Sequence, residues 1–407
     1  MKGGGRRPCG SRFLFAGLGF LACMAGTPQA MAQVSAAPVV APVPASTGSD
    51  DPTVYQPVDK DERGLWLMMD EDERKFRTDP AVIRDPALNA YVREVLCKLA
   101  SPGRCAHIRI YITRTPHFNA SMAPNGVMQV WSGLLLRTRN EAQLAAVLGH
   151  EYSHFENKHT LQLWREVRRK TNAASWINLI PYAGLVSLGL LTSIFDFSRE
   201  QEREADEGGL THMAAAGYDT HEAAVVWENL RAEMDATAVV RRTKSRKDRD
   251  RGLFETHPPS AERVATLTEL ARKTPGVPGA TGADRYRAAL APMWASFVDD
   301  QLKLNDFGGS EFLLKALAGA NWTPQLLYAR AELYRRRAQA GDLPQARDFY
   351  TAAISGGGDL PELWRGRGLT LQKLGAAEQA RADFTEYLRR APNAPDKAMI
   401  TILTGGS

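Results

Sequence analysis

The side chains with the clearest capacity for chemistry are two histidines and one glutamate in the segment His-Glu-Tyr-Ser-His at positions 150–154. On an α-helix, residues four positions apart lie one turn apart and about 40° round the axis, so the imidazoles of His150 and His154 can reach one cation. Neutral imidazole suits Zn²⁺, and a catalytic zinc site takes three protein ligands and leaves a fourth position to water. Zinc lowers the pKa of that water, and Glu151 is the candidate general base. The spacing predicts zinc-dependent hydrolysis, with an amphipathic helix whose histidines are only surface or core residues as the alternative.

The residues before this segment predict the helix that the spacing requires. Asn140 is a suitable N-cap, Glu141 places an acidic group in the first turn, and the alanines and leucines that follow have high helix propensity. The predicted buried stripe of this helix consists of Leu144, Val147, Leu148 and Tyr152. The two histidines lie beside that stripe.

The position of the third ligand separates the classes of zinc protease. The metzincin pattern requires a glycine at position 157 and a histidine at position 160, but Asn157 and Thr160 stand there. His159 is out of register with that pattern, and we expect it to be structural. The metzincin class is therefore excluded.

A second acidic segment, Ser-Arg-Glu-Gln-Glu-Arg-Glu-Ala-Asp at positions 198–206, offers carboxylates at helical spacing. One carboxylate can bind zinc while another hydrogen-bonds the far nitrogen of a ligating histidine and fixes its tautomer. Glu202 and Asp206 are one turn apart, but so are Glu200 and Glu204. Spacing alone does not choose among the three glutamates, and a solvated charged helix is the alternative.

Three blocks of sequence together resemble a known group of zinc metalloproteases. They are the segment 150–154, the segment 198–206, and Asn-Ala-Ser at 119–121 with Pro-Asn-Gly at 124–126 ahead of Gly-Leu-Leu at 133–135. These blocks resemble the family that includes the CAAX prenyl protease, the HtpX-type membrane proteases and the periplasmic BepA-like assembly proteases. The resemblance covers roughly residues 60–270.

The resemblance implies roles for five residues. It makes His150, His154 and Glu202 the ligands of one zinc ion per chain. It makes Glu151 the general base and Asp206 a support for a ligating histidine. None of the five positions departs from the family's pattern.

The resemblance also singles out His257, in the segment Thr-His-Pro-Pro at 256–259. A histidine that returns to the metal could stabilise the oxyanion of the reaction, or occupy the open coordination position and hold the enzyme idle. We expect His257 to lie near the zinc. The alternative is a histidine that orders a proline-rich turn before a helix at 260–263.

The predicted fold class is α+β. A mostly helical zincin-type metalloprotease domain with a small β-sheet is expected over residues 61–275, followed by an all-α repeat domain over residues 290–400. Within the first domain, a helix is predicted to begin at Asp85-Pro86 and to run through Leu99.

Two segments of the protease domain have the alternation of strands, namely residues 107–113 and 128–131. We expect them to form a small antiparallel sheet beside the helix that carries His150. By the family resemblance, the edge of such a sheet binds extended substrate backbone.

The N-terminus predicts export. Basic residues precede an apolar run at 13–25, and an Ala-Met-Ala cleavage site ends at Ala32, so residues 1–32 are predicted to be a signal peptide. The periplasm is the expected location, and a lipoprotein anchored at Cys23 is the alternative. Residues 33–60, rich in proline and alanine, are predicted to be a flexible linker.

Signal removal changes the charge and the cysteine count. Residues 1–32 carry four basic and no acidic groups, so the formal net charge of +5 becomes about +1 (5 − 4), and nucleic acid is not an expected partner. Cys97 and Cys105, eight positions apart, then remain in an oxidising compartment. One disulfide is predicted, with two buried free thiols as the alternative.

Residues 171–195 contain no charged side chain, and their length would permit a membrane span. A single crossing would place His150 and Glu202 on opposite sides of the bilayer, where they could not share an ion. A buried or active-site-covering hairpin is therefore predicted, with peripheral membrane contact as the alternative. The basic run at 241–251 is predicted to be a solvated loop, and contact with anionic lipid or an acidic partner is its alternative.

The last hundred residues resemble themselves at an offset of 34 positions. The matching pairs are Gly341 with Gly375, Ala346 with Ala380 and Tyr350 with Phe384. Residues 361–394 resemble a clear tetratricopeptide (TPR) repeat and residues 325–358 a poorer one. Residues 294–317 are predicted to cap the array and to dock on the protease body, and an ordinary helical bundle is the alternative.

These features predict an exported zinc endopeptidase that acts on unfolded, misfolded or misassembled cell-envelope proteins. The TPR-like repeats would bind substrates or the outer-membrane assembly machinery. A periplasmic chaperone or assembly scaffold in which proteolysis is secondary is the alternative. A membrane-embedded prenyl-protein protease lacks the several spans that it would need.

Overall fold

The computed structural model describes residues 56–170, 197–245, 247 and 260–405. These residues are mostly helical and contain one three-stranded sheet, as the predicted α+β class requires. The helices up to residue 273 are α1 Lys60–Thr78, α2 Pro86–Leu99, α3 Pro102–His107, α4 Ser132–Arg137, α5 Glu141–Glu156, α6 His159–Lys170, α7 Arg199–Ala215, α8 Glu222–Arg241 and α9 Ala261–Lys273. The later helices are α10 Ala283–Lys303, α11 Phe307–Ala318, α12 Pro324–Arg337, α13 Asp342–Ser355, α14 Glu362–Lys373, α15 Ala377–Arg390 and α16 Lys397–Leu403. Within the described part of the chain, no helix is both long enough and apolar enough to cross a bilayer.

The sheet consists of β1 Arg109–Thr113, β2 Ala120–Met122 and β3 Val127–Trp131, in the spatial order β1-β3-β2. The two strands that the sequence predicted, β1 and β3, pair in parallel, so the expected antiparallel pairing is wrong. The antiparallel partner of β3 is β2, a strand of three residues that its pattern did not reveal. A tight turn ending at Gly126, with φ of 83°, joins β2 to β3. The two strands therefore form a hairpin, and one edge of β3 pairs with β2.

Helix α5, which carries the paired histidines, forms as its sequence predicts. The Asn140 side chain accepts a hydrogen bond from the backbone N–H of Gln143 and caps the helix. The whole predicted stripe of Leu144, Val147, Leu148 and Tyr152 is buried. Helix α5 contacts α2, α7, α8 and β2, so it lies at the centre of the protease body, by which we mean the part of the chain from α1 to α9.

The predicted disulfide between Cys97 and Cys105 is present and joins α2 to α3. The guanidinium of Arg104, in α3, lies 5.5 Å from the ring centroid of Phe155. The bridge therefore holds a short helix against the C-terminal end of α5.

Helices α10 and α11, which include the predicted capping segment, lie between the protease body and the later helices. Tyr286 donates a hydrogen bond to the carbonyl of Leu135 at 2.6 Å, and Arg137 donates to the side chain of Gln301 at 2.8 Å. Both α10 and α11 also contact α12. One buried apolar cluster extends from α2 to α16, so the two parts share a continuous core.

Residues that match at the offset of 34 positions have the same conformation or burial in successive pairs of helices. Gly341 and Gly375 have φ of 85° and 81°. Tyr350 and Phe384 are fully buried, and Ala346 and Ala380 are buried beside them. Helices α12 and α13, and then α14 and α15, pack as successive pairs. Their assignment to the TPR class stays a prediction.

The first residue of α5, Glu141, is a buried carboxylate that ties α2 and the segment after α7 to the start of this helix. It accepts hydrogen bonds from Tyr91 and Lys98, both at 3.0 Å, and from Tyr218 at 2.5 Å. Burial would raise the pKa of Glu141, but the hydrogen bonds from Tyr218, Lys98 and Tyr91 lower it below its usual value of 4.5.

We expect Glu141→Gln to lower the free energy of unfolding by about 1–3 kcal/mol at pH 7, because it removes a charged acceptor from buried donors. Because the folded-state pKa is depressed, this stabilisation is complete above about pH 5 and is lost as the pH falls through the folded-state pKa. Denaturant unfolding at several pH values measures the difference, and Glu228→Gln, at an exposed position on α8, is the control. A difference that stays constant down to pH 3 would contradict the assignment.

Candidate metal centre

The two helices that carry the predicted ligands, α5 and α7, meet at a pair of glycines. A Cβ added at Gly209 would lie 3.0 Å from the backbone nitrogen of His150, and one added at Gly149 would lie 3.2 Å from the carbonyl oxygen of Gly209. Neither position has ordinary van der Waals room for a side chain. The backbones of α5 and α7 can therefore approach closely enough for short side chains to meet.

Three side chains meet beside this crossing. The Nε2 atoms of His150 and His154 are 3.1 Å apart. The Glu202 carboxylate lies 3.4 Å from Nε2 of His154 and 3.6 Å from Nε2 of His150. The ligand atoms of all three residues lie within 4.8 Å of one another.

The donor set fits zinc. Two imidazole nitrogens and one carboxylate oxygen form a set that catalytic zinc sites use. Two Nε2 atoms at 3.1 Å that both present lone pairs repel each other, and a cation between them removes that repulsion. Three carboxylates, those of Glu151, Glu202 and Asp206, accompany one guanidinium, that of Arg263, at this centre, and an excess of acidic groups suits a cation.

Nδ1 of His150, the ring nitrogen on the opposite side from Nε2, contacts a carboxylate. Nδ1 of His150 lies 2.9 Å from Oδ1 of Asp206, and both side chains are 5% exposed. Burial would raise the pKa of Asp206, but the Arg263 guanidinium and the hydrogen bond with His150 hold it below its usual range. Asp206 thus lies where a support for a ligating histidine is expected.

Arg263, in α9, belongs to this centre, although its sequence context predicted only that it lies in a helix. It donates to both oxygens of Asp206, at 2.7 and 3.0 Å, and its Nη1 lies 3.6 Å from Glu202. Its guanidinium also stacks 3.9 Å from the ring centroid of Trp227. One sequence signal was present: Arg263 shares the buried i, i+4, i+8 stripe of α9 with Leu267 and Ala271.

Glu151, the predicted base, is buried on the same helix as the paired histidines and is 5% exposed. It interacts electrostatically with Arg263.

The structure separates the three glutamates that spacing did not distinguish. Glu202 lies at the ligand cluster, whereas Glu204 lies 3.0 Å from Nε2 of His159. Glu200 is exposed and forms an ion pair with Arg203 on the helix surface. His159, expected to be structural, contacts His154 directly.

Several predicted features lie outside the described residues. They are the signal peptide 1–32 with Cys23, the linker up to residue 55, the apolar segment 171–195, His257, and residues 246 and 248–251 of the basic run. The expectation that His257 lies near the metal stays a prediction.

Comparison with known proteins finds a peptidase family whose model matches the segment that contains the site. Residues 83–271 match the model of peptidase family M48. A Vibrio cholerae protein, provisionally assigned as a beta-barrel assembly-enhancing protease, is 26% identical over 278 residues, which are 64% of this chain and 54% of that protein. The Escherichia coli beta-barrel assembly-enhancing protease is 25% identical over 162 residues, 36% of this chain and 33% of that protein. A mitochondrial metalloendopeptidase of Schizosaccharomyces pombe is 30% identical over 188 residues, 44% of this chain and 52% of that protein.

These matches confirm the predicted resemblance and the metalloprotease class. The matched segment contains all the residues that the structure brings together at the cluster. The chain spans about half the length of the Vibrio cholerae and Schizosaccharomyces pombe relatives and 33% of the Escherichia coli protein.

We expect Gly209→Ala to weaken zinc binding about tenfold, the scale found for changes that misplace metal ligands. The added methyl would lie 3.0 Å from the His150 nitrogen, so α5 and α7 must separate. Competition with a chromophoric chelator measures the zinc affinity. Gly64→Ala in α1, where no atom lies within 4 Å of the added Cβ, is the control. Unchanged zinc affinity in Gly209→Ala would show that the close crossing is not required.

Proposed function

We propose that the chain whose residues 83–271 match peptidase family M48 is an exported zinc-dependent endopeptidase that cleaves misfolded or misassembled cell-envelope proteins. The observation that carries this proposal is the cluster of His150, His154 and Glu202 with Glu151 buried beside it. The sequence relatives support it, since their names describe proteases and endopeptidases.

In the proposed reaction, His150, His154 and Glu202 hold the zinc ion, one per chain. The bound ion supplies a Lewis acid for the peptide carbonyl and for the attacking water. Glu151 accepts the proton of that water on its carboxylate and delivers it to the leaving amine. Asp206 keeps the His150 ring in the orientation that presents Nε2 to the metal.

Arg263 has an electrostatic role in this proposal. Its positive charge is buried among Asp206, Glu202 and Glu151, and it holds Asp206 ionised. An ionised Asp206 accepts a hydrogen bond from Nδ1 of His150, which leaves Nε2 without a proton.

The sheet offers a place for an extended substrate. β2 is an edge strand of the described sheet, and it contacts α5, which carries Glu151. A peptide that paired with the outer edge of β2 would lie next to the cluster, so cleavage would require an unfolded or strand-like segment. The three residues of β2 are buried, so binding of a peptide would require that edge to be uncovered. The requirement for an unfolded or strand-like segment fits a protease that acts on misfolded proteins.

The helices after residue 283 would select what reaches the site. Paired helices with equivalent buried residues at an offset of 34 positions support a TPR-like array, and such arrays bind extended peptides or partner proteins. We propose that this array binds substrates or the outer-membrane assembly machinery. The name of the Escherichia coli relative, a beta-barrel assembly-enhancing protease, supports the second of these partners.

Export rests on the N-terminal sequence. The basic and apolar segments before Ala32 support cleavage of a signal peptide and a periplasmic location, with anchoring at Cys23 as the second possibility. Peripheral membrane contact through residues 171–195 is compatible with either.

We expect Glu151→Gln to lower peptide hydrolysis by roughly 10²–10⁴-fold, the usual contribution of a general base, while zinc content stays at one ion per chain. Casein cleavage together with metal analysis measures both quantities, before and after treatment with a chelator. Glu207→Gln, at an exposed position on α7, is the control and should retain activity. Zinc-free protein whose casein cleavage is indifferent to chelation would contradict the proposal.

The second candidate function is a chaperone or assembly scaffold in which proteolysis is secondary. The paired helices and the words "assembly-enhancing" in the relatives' names favour it. Cells that carry only Glu151→Gln separate the two functions: an envelope phenotype that survives the substitution would favour the scaffold.

A further inference from the structure

The two histidines of the metal cluster differ in what holds their far nitrogens. Nδ1 of His150 lies against the carboxylate of Asp206, at 2.9 Å, and Nη2 of Arg263 lies 3.1 Å from the same nitrogen. Nδ1 of His154 lies 2.9 Å from Nδ1 of another imidazole, that of His159. Nε2 of His159 in turn lies 3.0 Å from a carboxylate oxygen of Glu204.

We propose that His159 and Glu204 form a relay that positions His154 for metal binding. His154 donates from Nδ1 to Nδ1 of His159, and His159 donates from Nε2 to Glu204. The inference rests on the proposed zinc site, and it makes His159 and Glu204 positioning residues.

The direction of the two hydrogen bonds follows from the chemistry of imidazole. A neutral ring carries one proton, and a ring nitrogen that binds a cation carries none. Nε2 of His154 faces His150 and Glu202 in the cluster, so the proton of His154 must be on Nδ1. Nδ1 of His159 is then the acceptor, and the proton of His159 must be on Nε2.

The carboxylate of Glu204 selects this arrangement over the reverse one. A carboxylate accepts hydrogen bonds, so it favours the His159 tautomer with its proton on Nε2. In the reverse arrangement, a lone pair of His159 would face the negative charge of Glu204. Nε2 of His154 would then carry the proton that metal binding must displace.

The backbone and the neighbouring rings fix the geometry of this relay. Lys158 has φ of 55°, a left-handed conformation that reverses the chain between α5 and α6 and returns His159 to the side of His154. His159 is fully buried. Phe197 stacks on the ring of His154 with centroids 4.2 Å apart, so that ring has little freedom to rotate.

The outer end of the relay is accessible, because the side chain of Glu204 is 50% exposed, whereas Asp206 is 5% exposed. A substitution at Glu204 can therefore change the hydrogen-bond acceptor without opening a cavity in the core. This difference separates an effect on the metal ligand from an effect on folding.

The test is the zinc dissociation constant of the full chain, measured by competition with a chromophoric chelator. We expect Glu204→Ala to weaken zinc binding about tenfold, within the range for residues that support metal ligands, while the unfolding midpoint of the metal-free protein is unchanged. Glu200→Ala, one turn earlier on the same helix and exposed, is the matched control and should bind zinc as the unsubstituted chain does.

A double-mutant cycle tests whether the effect passes through His159. His159→Phe keeps a buried aromatic ring but removes the acceptor, and we expect it to weaken zinc binding at least as much as Glu204→Ala. Adding Glu204→Ala to His159→Phe should then cause no further loss. In zinc-loaded protein, ¹⁵N spectra of the imidazoles should show the proton of His159 on Nε2.

Three results would overturn the relay. They are unchanged zinc affinity in Glu204→Ala, equal losses from Glu204→Ala in the presence and absence of His159, and a proton on Nδ1 of His159. Unsubstituted protein that binds no zinc would overturn the proposed function together with the relay, so the two failures can be distinguished.

Discussion

The metal centre depends on the close contact between α5 and α7 at Gly149 and Gly209. Helical spacing within α5 brings His150 and His154 together, but the third ligand is on another helix and a glutamate side chain is short. With no side chain between the two backbones, Glu202 can reach both imidazoles and Asp206 can reach the far nitrogen of His150. The short distance between the backbones of α5 and α7 therefore determines which charged side chains lie together in the site.

Bringing these groups together concentrates charge in the core. Glu151, Asp206 and Arg263 are each at most 7% exposed, and an unpaired charge at such a position is costly. The bidentate pairing of Arg263 with Asp206 offsets part of that cost, and its stacking on Trp227 supports the guanidinium from the other side. The excess of carboxylates over basic groups makes the site suitable for a cation. Thus the interactions of Arg263 that stabilise the buried carboxylates also hold these groups in positions from which they can bind or support a metal ion.

The later helices are joined to the protease body through buried contacts. Two residues of α10 form hydrogen bonds with α4: Tyr286 donates one and Gln301 accepts one. One buried apolar cluster is continuous across this contact. Because the contact is buried, the helices after α10 have a fixed relation to the sheet and to α5.

Local spacing along the sequence predicts the α5 helix and its cap, the pairing of His150 with His154, the disulfide, and the offset of 34 residues in the later helices. These follow from helix periodicity and short chain separation. Packing between separate elements sets the direction of β1 relative to β3 and brings Arg263 and His159 into the centre. It also brings Glu202, rather than Glu200 or Glu204, to the two histidines, a choice that spacing left open and that only the family resemblance implied. Each of these features depends on how separate elements pack against one another. Residue spacing within one element does not determine its distance from another element.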